Sequence, residues 1–204
     1  MKRFLSIFLS LVMISSALSS SVFAAEAQGY GSDNSQILYV DDYMEFYENQ
    51  DYYMDLVDNQ HYVLVIDVPD EYLEMEKTRI AGGAEVNALT EGPTTRGTSV
   101  PTRAWNVNTN GTYSFSVSTA KTPIYTNYYF VGANAYRMSV LNTSNVVPAG
   151  AYVYGYSSGR KFVETYSSKT STVVYSFPIA NPNSHFYVCF LAPSYLMGSI
   201  SVAN

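Results

Sequence analysis

The feature of this sequence that most limits its fold is an alternation of polar and apolar residues in its second half. The clearest case is residues 112–118, Thr-Tyr-Ser-Phe-Ser-Val-Ser, where every second side chain is apolar. A period of two places these apolar side chains on one face of a β-strand. Comparable segments, separated by turn residues, lie at 124–131, 136–141, 151–156, 161–166, 172–177, 185–191 and 198–202. Eight or nine short strands predict an all-β domain, an antiparallel β-sandwich or jelly roll, over about residues 103–204.

A turn signal precedes the clearest of these strands. Asn110-Gly111 lies between residues 112–118 and an earlier segment that contains Trp105 and Val107. Asn-Gly is the dipeptide most typical of a two-residue turn between antiparallel strands. The sequence therefore predicts a β-hairpin centred on these two residues.

Charge is sorted along the chain. Residues 25–92 hold sixteen acidic residues against Lys77 and Arg79, a net charge of −14, whereas residues 93–204 hold seven cations against Glu164, a net charge of +6. The change falls in residues 92–103, which are rich in Gly, Pro, Thr and Ser and are predicted to be a linker. An acidic segment tethered in this way can fold back on a basic domain, because their fields are complementary. The alternative is two solvated surfaces that never meet.

The acidic segment, residues 25–91, is predicted to be a small α+β or partly disordered unit. Aromatic residues in 39–57 have spacing compatible with a short amphipathic helix, and residues 61–68 are Val- and Ile-rich like a strand. Pro69 followed by two acids is typical of a helix start, and Gly82-Gly83 of its end. The segment is too short to build its own core, so a pro-region, a docking arm or a cap on the second half is expected.

The first 24 residues have the pattern of a secretory signal peptide. Lys2 and Arg3 precede an apolar run over residues 4–18, and cleavage is expected between Ala24 and Ala25. The apolar run is shorter than the roughly 20 residues that cross a bilayer. We therefore expect a secreted, extracellular protein without membrane attachment once the signal is removed. The predicted domains are the signal peptide at 1–24, the acidic segment at 25–91, the linker at 92–103 and the β-sandwich at 104–204.

Catalytic chemistry has few candidate residues in the basic half, where Glu164 is the one carboxylate and His185 the one imidazole. His185 and Cys189 lie four residues apart in one strand, roughly 13 Å apart, which is too far for a nucleophile–base pair. Cys189 is the single cysteine of the chain, so it forms no intramolecular disulfide, and its apolar segment predicts a buried, inert thiol. No metal-ligand pattern or cofactor motif occurs, and none is expected. An enzyme would need a composite site, with an acid of the first segment near Glu164 or His185.

Tyrosines on one strand offer a candidate binding surface. Tyr152, Tyr154 and Tyr156 share one face, and the opposite face carries small residues. Outward tyrosines would form a ladder that stacks on sugar rings or peptide groups. Inward tyrosines would be core, and this arrangement is favoured because a face of Ala, Val, Gly and Ser buries little area. Candidate binding residues are Tyr152, Tyr154, Tyr156, Trp105, Tyr128, Arg160 and Lys161, although a sole tryptophan such as Trp105 is more often a core anchor.

Four segments of the second half carry a resemblance to a known group. They are Trp105-Asn106-Val107, Gly111-Thr112-Tyr113-Ser114-Phe115, Tyr125-Thr126-Asn127-Tyr128-Tyr129-Phe130 and Phe190-Leu191-Ala192-Pro193-Ser194. Over about residues 100–204 the chain resembles uncharacterised small secreted proteins of Gram-positive bacteria. The resemblance implies a compact β-sandwich module and no assigned activity. The layout is also similar to sandwich domains appended to secreted hydrolases, which bind carbohydrate or protein.

Together these patterns predict a secreted, non-enzymatic β-sandwich protein that binds an extracellular or cell-surface component. The acidic segment would be a pro-region or an intramolecular cover for the basic domain. A carbohydrate-binding module is one alternative, and an enzyme with a composite site is another. Expected partners are a glycan, a cell-wall polymer or a surface protein. Nucleic acid is not expected, because the seven cations are scattered along the second half.

Cleavage after Ala24 predicts a mature protein that begins at Ala25. N-terminal sequencing and the intact mass of protein recovered from culture medium check this. A start beyond Arg96 or Arg103 would reveal that a protease also removes the acidic segment. Recovery with Met1 in place would contradict the signal peptide.

Overall fold

The computed structural model describes residues 35–81, 98–117, 122–143, 149–156, 159, 161–167, 170–179, 185–191 and 195–203. The predicted signal peptide with its cleavage site, the beginning of the predicted linker (residues 92–97) and Arg160 lie outside these residues. The helices are α1 (Tyr43–Glu48), α2 (Gln50–Gln60), α3 (Leu73–Ala81) and α4 (Val107–Asn110), with a 3-10 turn at Asp70–Tyr72. The strands are β1 (Gln36–Val40), β2 (Tyr62–Asp67), β3 (Arg103–Asn106), β4 (Tyr113–Val117), β5 (Ile124–Tyr125), β6 (Tyr128–Val131), β7 (Ala135–Asn142), β8 (Ala149–Gly155), β9 (Lys161–Ser167), β10 (Ser171–Pro178), β11 (Phe186–Leu191) and β12 (Leu196–Val202).

The strands form two mixed sheets. Sheet A has the order β1-β2-β10-β7-β12-β4, and sheet B has the order β3-β6-β11-β8-β9, with β5 also paired to β11. The prediction of a β-rich fold is confirmed. The antiparallel pairing expected over about residues 103–204 is interrupted once in the described strands, because β3 pairs with β6 in parallel, and in the acidic segment β1 also pairs with β2 in parallel. Parallel neighbours need a crossover connection, and α1 and α2 provide it between β1 and β2.

The two sheets share one apolar core, which we call the shared core. Sheet A contributes Phe115 and Tyr136, and sheet B contributes Phe186 and Phe190. The ring centroids of Phe115 and Phe190 are 4.6 Å apart, as are those of Tyr136 and Phe186. These aromatic contacts hold the inner faces of the two sheets together, in addition to the area they bury.

The opposite face of sheet A is covered by a helical layer, formed by α1, α2 and α3. Leu64 and Val174 alternate with residues of the shared core and point away from it, against Phe46 and Val57 of the helices. Asp42 caps α1 through a side-chain oxygen that accepts from two backbone N–H groups of the first turn. Helices and sheet A thus enclose a second core.

The acidic segment is hydrogen-bonded into sheet A. Strand β2 pairs in antiparallel register with β10, from Ser171 opposite Asp67 to Val174 opposite Leu64. The segment therefore supplies two of the six strands of sheet A, as well as the helical layer. A segment predicted to be a pro-region, an arm or a cap provides backbone partners for a strand of the basic half.

An ion pair joins the two oppositely charged parts of the sequence. Asp58 of α2 is buried and receives two hydrogen bonds from the guanidinium of Arg137 on β7, one of them 3.0 Å long from Nε. Ser176 on β10 also donates its hydroxyl to Asp58. The predicted complementarity of charge is thus realised at one specific contact between α2 and sheet A.

The helical layer also contains a buried carboxylate, Glu76 of α3. Tyr43 donates to its Oε2 at 3.0 Å, and Thr172 of β10 donates to its Oε1 at 2.8 Å. Arg79 donates to both oxygens, at 2.7 Å from Nε and 2.6 Å from Nη2. Burial and the neighbouring Glu76 charge raise the pKa of Tyr43, so its phenol remains a proton donor. We call these four residues the Glu76 network.

Arg79 is itself held in place from other directions. Its Nη2 lies 3.4 Å from the hydroxyl of Ser139 on β7, and its guanidinium lies 5.2 Å from the ring centroid of Phe46. Burial acts to lower the pKa of Arg79, but the hydrogen bonds and charge of Glu76 outweigh it and raise that pKa. The guanidinium of Arg79 therefore stays charged inside the protein.

Two local predictions are wrong. Asn110-Gly111 ends a short helix, α4, instead of forming a hairpin, and the strands on either side of it belong to different sheets. The side chain of Asn106 caps α4, and Gly111 ends it with a φ of 73°. The strand predicted at residues 124–131 is divided into β5 and β6, because Thr126 turns to exchange hydrogen bonds with the backbone of Val188.

The helix predicted within residues 39–57 is also different in the structure. Tyr39 belongs to β1, and the helical part is split at Asn49 into α1 and α2. Within the part of the chain that the structure describes, no helix is long and apolar enough to cross a membrane.

Replacing Glu76 by Gln should lower the free energy of unfolding by about 3 kcal/mol, because it leaves the buried Arg79 charge without its partner. Urea unfolding followed by circular dichroism measures this loss. Glu74→Gln is the matched control: Glu74 also pairs with a cation three residues on, Lys77 at 2.6 Å, but in solvent. That exposed pair should contribute less than about 0.5 kcal/mol. Equal losses in the two variants would contradict a structural role for the Glu76 network.

Candidate binding face

The tyrosines of β8 lie on the outer face of sheet B. Ala149, Ala151 and Val153 of this strand are buried in the shared core, so the alternate residues Tyr152, Tyr154 and Tyr156 point the other way. They point away from the shared core, but they do not form a fully exposed ladder either, because Tyr152 is buried at 8% exposure and Tyr154 and Tyr156 are half-buried.

The reason lies in the residues that fill the shared core from the other strands. Phe177 and Tyr136 on sheet A and Phe186 on β11 occupy it with large rings, which contact one another at centroid distances of 4.6 to 6.0 Å. Close-packed cores match large residues with small ones, so the small face of β8 fits there. The small side chains of β8 bury little area themselves, and the large rings of the other strands supply most of the area buried in the shared core.

Neighbouring strands add more aromatic residues to the same outer face. On β11, Phe186 and Val188 are in the shared core, and the alternate residue Tyr187 points outward. Phe130 and Ile124 likewise pack on the shared core, with their neighbours on the other side. We define the outer aromatic face as Tyr125, Tyr129, Tyr152, Tyr154, Tyr156, His185 and Tyr187.

One row of this face crosses the sheet from β5 to β8. Tyr187 lies directly opposite Tyr154 in the β11–β8 register, and their rings are nearly parallel, at 10° with centroids 5.5 Å apart. Tyr125 lies on the other side of Tyr187, with a centroid distance of 5.8 Å. Three phenol rings from three strands are thus in continuous contact.

A second row lies beside the first. Tyr129 stacks on His185 at 5.0 Å and 15°, and it contacts Tyr156 at 4.4 Å. The backbone N–H of Tyr156 donates to the carbonyl of His185 at 2.7 Å, which ties the ends of β8 and β11 together. Tyr156 also contacts Tyr187 at nearly a right angle, and this joins the two rows.

The described members of the outer aromatic face are phenols, apart from His185. Burial raises the pKa of Tyr187, with smaller contributions from Tyr125 and Tyr154, so its phenol stays neutral above its ordinary titration range. In the backbone register of β9, Lys161 is opposite Tyr154. The phenols of the face carry apolar ring surface together with hydroxyl groups that can donate and accept hydrogen bonds.

Cys189 lies at the base of this face. It is opposite Tyr125 on one side and Tyr152 on the other, and it is buried, as the sequence predicts. Burial raises the pKa of its thiol, and a hydrogen bond with Tyr125 partly opposes this effect. The thiol is thus protonated at neutral pH and fills space beneath the rings.

Trp105 and Tyr128 lie apart from the outer aromatic face. Trp105 is half-buried against the shared core, contacts Tyr128 at 5.4 Å, and donates from its indole N–H to the carbonyl of Gly111 at 3.0 Å. The guanidinium of Arg103 lies 5.1 Å from the ring centroid of Tyr128. Trp105 thus packs only partly on the shared core, and this cluster borders β3 at the edge of sheet B. Of the remaining candidate residues, Lys161 begins β9.

Sequence reasoning found the tyrosines of β8 but missed Tyr125, Tyr129, His185 and Tyr187 as their neighbours. The signal available in the sequence was the alternation of side chains along each strand. Tyr187 alternates with the apolar Phe186 and Val188, as the tyrosines of β8 alternate with small residues. Alternation alone does not say which face of a strand points into the core.

Of the two residues considered as anchors for a composite catalytic site, Glu164 has a side chain that lies outside the described part of the structure, and His185 is packed among aromatic rings. The rings packed on His185 are those of Tyr129 and Tyr156. The buried acids Glu76 and Asp58 are engaged in ion pairs with Arg79 and Arg137 on the helical side of sheet A. Over the described ranges, no group of three or more His, Cys, Asp or Glu side chains is placed to hold a metal ion.

Comparison with known proteins gives little. No protein-family model matches the chain, and no curated protein sequence matches it. Among solved structures, it is similar to the pre-peptidase C-terminal domain of collagenase from Bacillus anthracis, with a TM-score of 0.34 and 16% identity. That match covers 48% of this chain and 91% of the other.

The buried thiol predicts slow alkylation of Cys189 in the native protein. Iodoacetamide at pH 8 should react at least about tenfold more slowly than with protein unfolded in guanidinium chloride, because the reactive species is the thiolate. The native rate should continue to rise with pH above about 8.5, where an ordinary thiol is half ionised. Mass spectrometry of quenched samples measures both rates. Equal rates in native and unfolded protein would contradict the assigned burial.

Proposed function

We propose that this chain is an exported, non-catalytic β-sandwich protein that binds an extracellular or cell-surface component through the outer aromatic face. The observation that carries the proposal is the outward orientation of the tyrosines of β8, in contact with those of β5, β6 and β11. Contiguous apolar surface on the outside of a protein is typical of binding sites. The export signal in the sequence supports an extracellular ligand.

Tyrosine is well suited to such a surface. Its ring provides a large contact area, its hydroxyl bonds to a polar ligand, and few rotatable bonds must be fixed on binding. The rings of Tyr154, Tyr187 and Tyr156 already restrain one another by contact. Binding would therefore cost little additional side-chain entropy.

The position of the acidic segment favours a structural role. Its helices lie on the face of sheet A that points away from sheet B, so they do not pack on the outer aromatic face. Its strands complete sheet A, and Asp58 and Glu76 bond to residues of the basic half. We propose that it stabilises the sandwich, in place of acting as a cover for the binding surface.

The proposal predicts that Tyr154→Ala weakens retention on a Gram-positive cell-wall preparation by about five- to tenfold, or about 1 kcal/mol, in a sedimentation assay. Tyr52→Ala is the control: Tyr52 is 62% exposed, but it belongs to α2 on the other side of the molecule. Thermal melting establishes that both variants remain folded. If the wild-type protein and both variants sediment equally, the outer aromatic face is not the binding surface.

A further inference from the structure

Two tyrosines of the outer aromatic face, Tyr129 and Tyr156, lie in direct ring contact. Their ring centroids are 4.4 Å apart, at an interplanar angle of 39°. We propose that this pair is an oxidative modification site, at which hydrogen peroxide, activated by a haem peroxidase, couples the two phenols to a dityrosine. The cross-link is a covalent staple within one chain, and it does not depend on which ligand the face binds.

The two rings come from strands that are not neighbours in sheet B. Tyr129 lies on β6 and Tyr156 follows β8, and β11 runs between these two strands. Strands on either side of a third are about 10 Å apart, so the two side chains lean toward each other across β11. The ring of His185, immediately before β11, is 5.0 Å from that of Tyr129 and 6.2 Å from that of Tyr156. A third ring thus helps to hold the two phenols in contact.

Partial exposure separates this pair from the other tyrosine contacts of the face. Tyr129 and Tyr156 are both half-buried, so part of each ring is open to an oxidant in solution. Tyr187 contacts Tyr154 and Tyr125 at the longer centroid distances of 5.5 and 5.8 Å. It is also buried, with 7% of its surface exposed. Both distance and exposure therefore favour coupling of Tyr129 with Tyr156.

The coupling is a two-electron oxidation. Each phenol gives up its hydroxyl hydrogen, as one electron and one proton, to the oxidised peroxidase. The two phenoxyl radicals combine through a new bond between ring carbons that neighbour the hydroxyl-bearing carbons. The hydrogens on the bonded carbons then move to the oxygens, and both rings become aromatic again. The two hydrogen atoms that leave the protein reduce one hydrogen peroxide to two water molecules.

Contact within the folded chain favours this product over coupling between chains. Groups that are held together react as if at a concentration far above that of any protein solution. Tyr52 and Tyr39 are more exposed, at 62% and 52%, and they can couple with tyrosines of another copy. Coupling between copies decreases on dilution, whereas coupling of Tyr129 with Tyr156 does not.

A covalent staple has a physical role in this chain because a disulfide cannot supply one. Cys189 is the single cysteine, so no intramolecular disulfide forms. Exported domains are often stabilised by such bonds. The dityrosine closes the loop between residues 129 and 156, and a cross-link of this kind stabilises a protein mainly by restricting its unfolded chain.

Oxidation of the full chain with a haem peroxidase and hydrogen peroxide, at a series of protein dilutions, tests the proposal. Dityrosine fluorescence measures the yield, denaturing gels separate monomer from dimer, and mass spectrometry of tryptic peptides from the monomer locates the bond. Trypsin places Tyr129 in peptide 122–137 and Tyr156 in peptide 138–160. We expect these two peptides to be joined, with a mass lower by two hydrogen atoms, in a yield that does not change with dilution.

Phenylalanine variants identify the two coupled residues without removing their rings. Tyr129→Phe and Tyr156→Phe should each abolish the joined peptides, because phenylalanine has no hydroxyl hydrogen to lose. Tyr154→Phe is the matched control, since Tyr154 lies in the same tryptic peptide as Tyr156, and it should leave the joined peptides unchanged. The purified cross-linked monomer should melt at least about 5 °C above the untreated protein. The Tyr156→Phe protein, oxidised in the same way, should show no such rise.

The other outcomes overturn the proposal. Joined peptides that persist in Tyr156→Phe would place the bond on another tyrosine. A main product that contains peptide 170–204, which includes Tyr187, would assign the coupling to the buried row. Dityrosine found only in dimers, in a yield that falls with dilution, would show that the two rings in contact do not couple. A monomer without any dityrosine would show the same.

Discussion

The buried carboxylate of Glu76 is the interaction on which the arrangement of this protein most depends. A charge in an apolar interior is unfavourable unless paired and hydrogen-bonded, and Glu76 meets this condition only where three elements come together. Tyr43 approaches from α1 and Thr172 from β10, while Arg79 lies on α3, the helix that carries Glu76 itself. If α3 were displaced from sheet A, Glu76 would lose Thr172, and Arg79 would lose its contact with Ser139. The network thus specifies how the helical layer is placed on the sheet.

The helical layer covers sheet A and leaves the outer face of sheet B without a helical cover. Sheet A is covered on both faces, by helices on one side and by sheet B on the other. Sheet B is packed on one face only by the shared core, and its other face carries the tyrosine rows. The large rings of Phe177 and Phe186 occupy the shared core, so β8 must turn its small side chains inward. Core packing and the outer aromatic face are therefore two consequences of the same side-chain sizes.

Sequence reasoning succeeded where local pattern determines local structure. The predicted strand at residues 172–177 is β10, and that at 185–191 is β11, to within a residue at each end. Strand β1 was missed because Ile37 packs on the shared core and Leu38, the next residue, packs on the second core beneath the helices. Adjacent apolar residues that pack on opposite faces of a sheet give no alternation to detect.

The other errors depended on distant parts of the chain. Asn110-Gly111 suits a hairpin turn and also a helix end, since glycine takes a positive φ in both. The strand before it joins β6 in sheet B and the strand after it joins β12 in sheet A, so only the tertiary pairing excludes the hairpin. In the same way, the sequence of β8 names the tyrosines of the candidate site, but their direction follows from rings on other strands.

The uneven charge of the sequence acquires a physical meaning from this layout. The exposed acids of the described residues lie on and around the helical layer: Asp41, Asp42, Glu45, Glu48, Asp51, Asp55, Asp67, Asp70, Glu71 and Glu74. A protein that presents an apolar tyrosine surface tends to associate with its own copies, and like charge opposes such association. These acids lie across the molecule from the outer aromatic face, on the far side of sheet A. The helices that carry these exposed acids also carry Glu76 and Asp58, whose carboxylates bond to residues of the basic half.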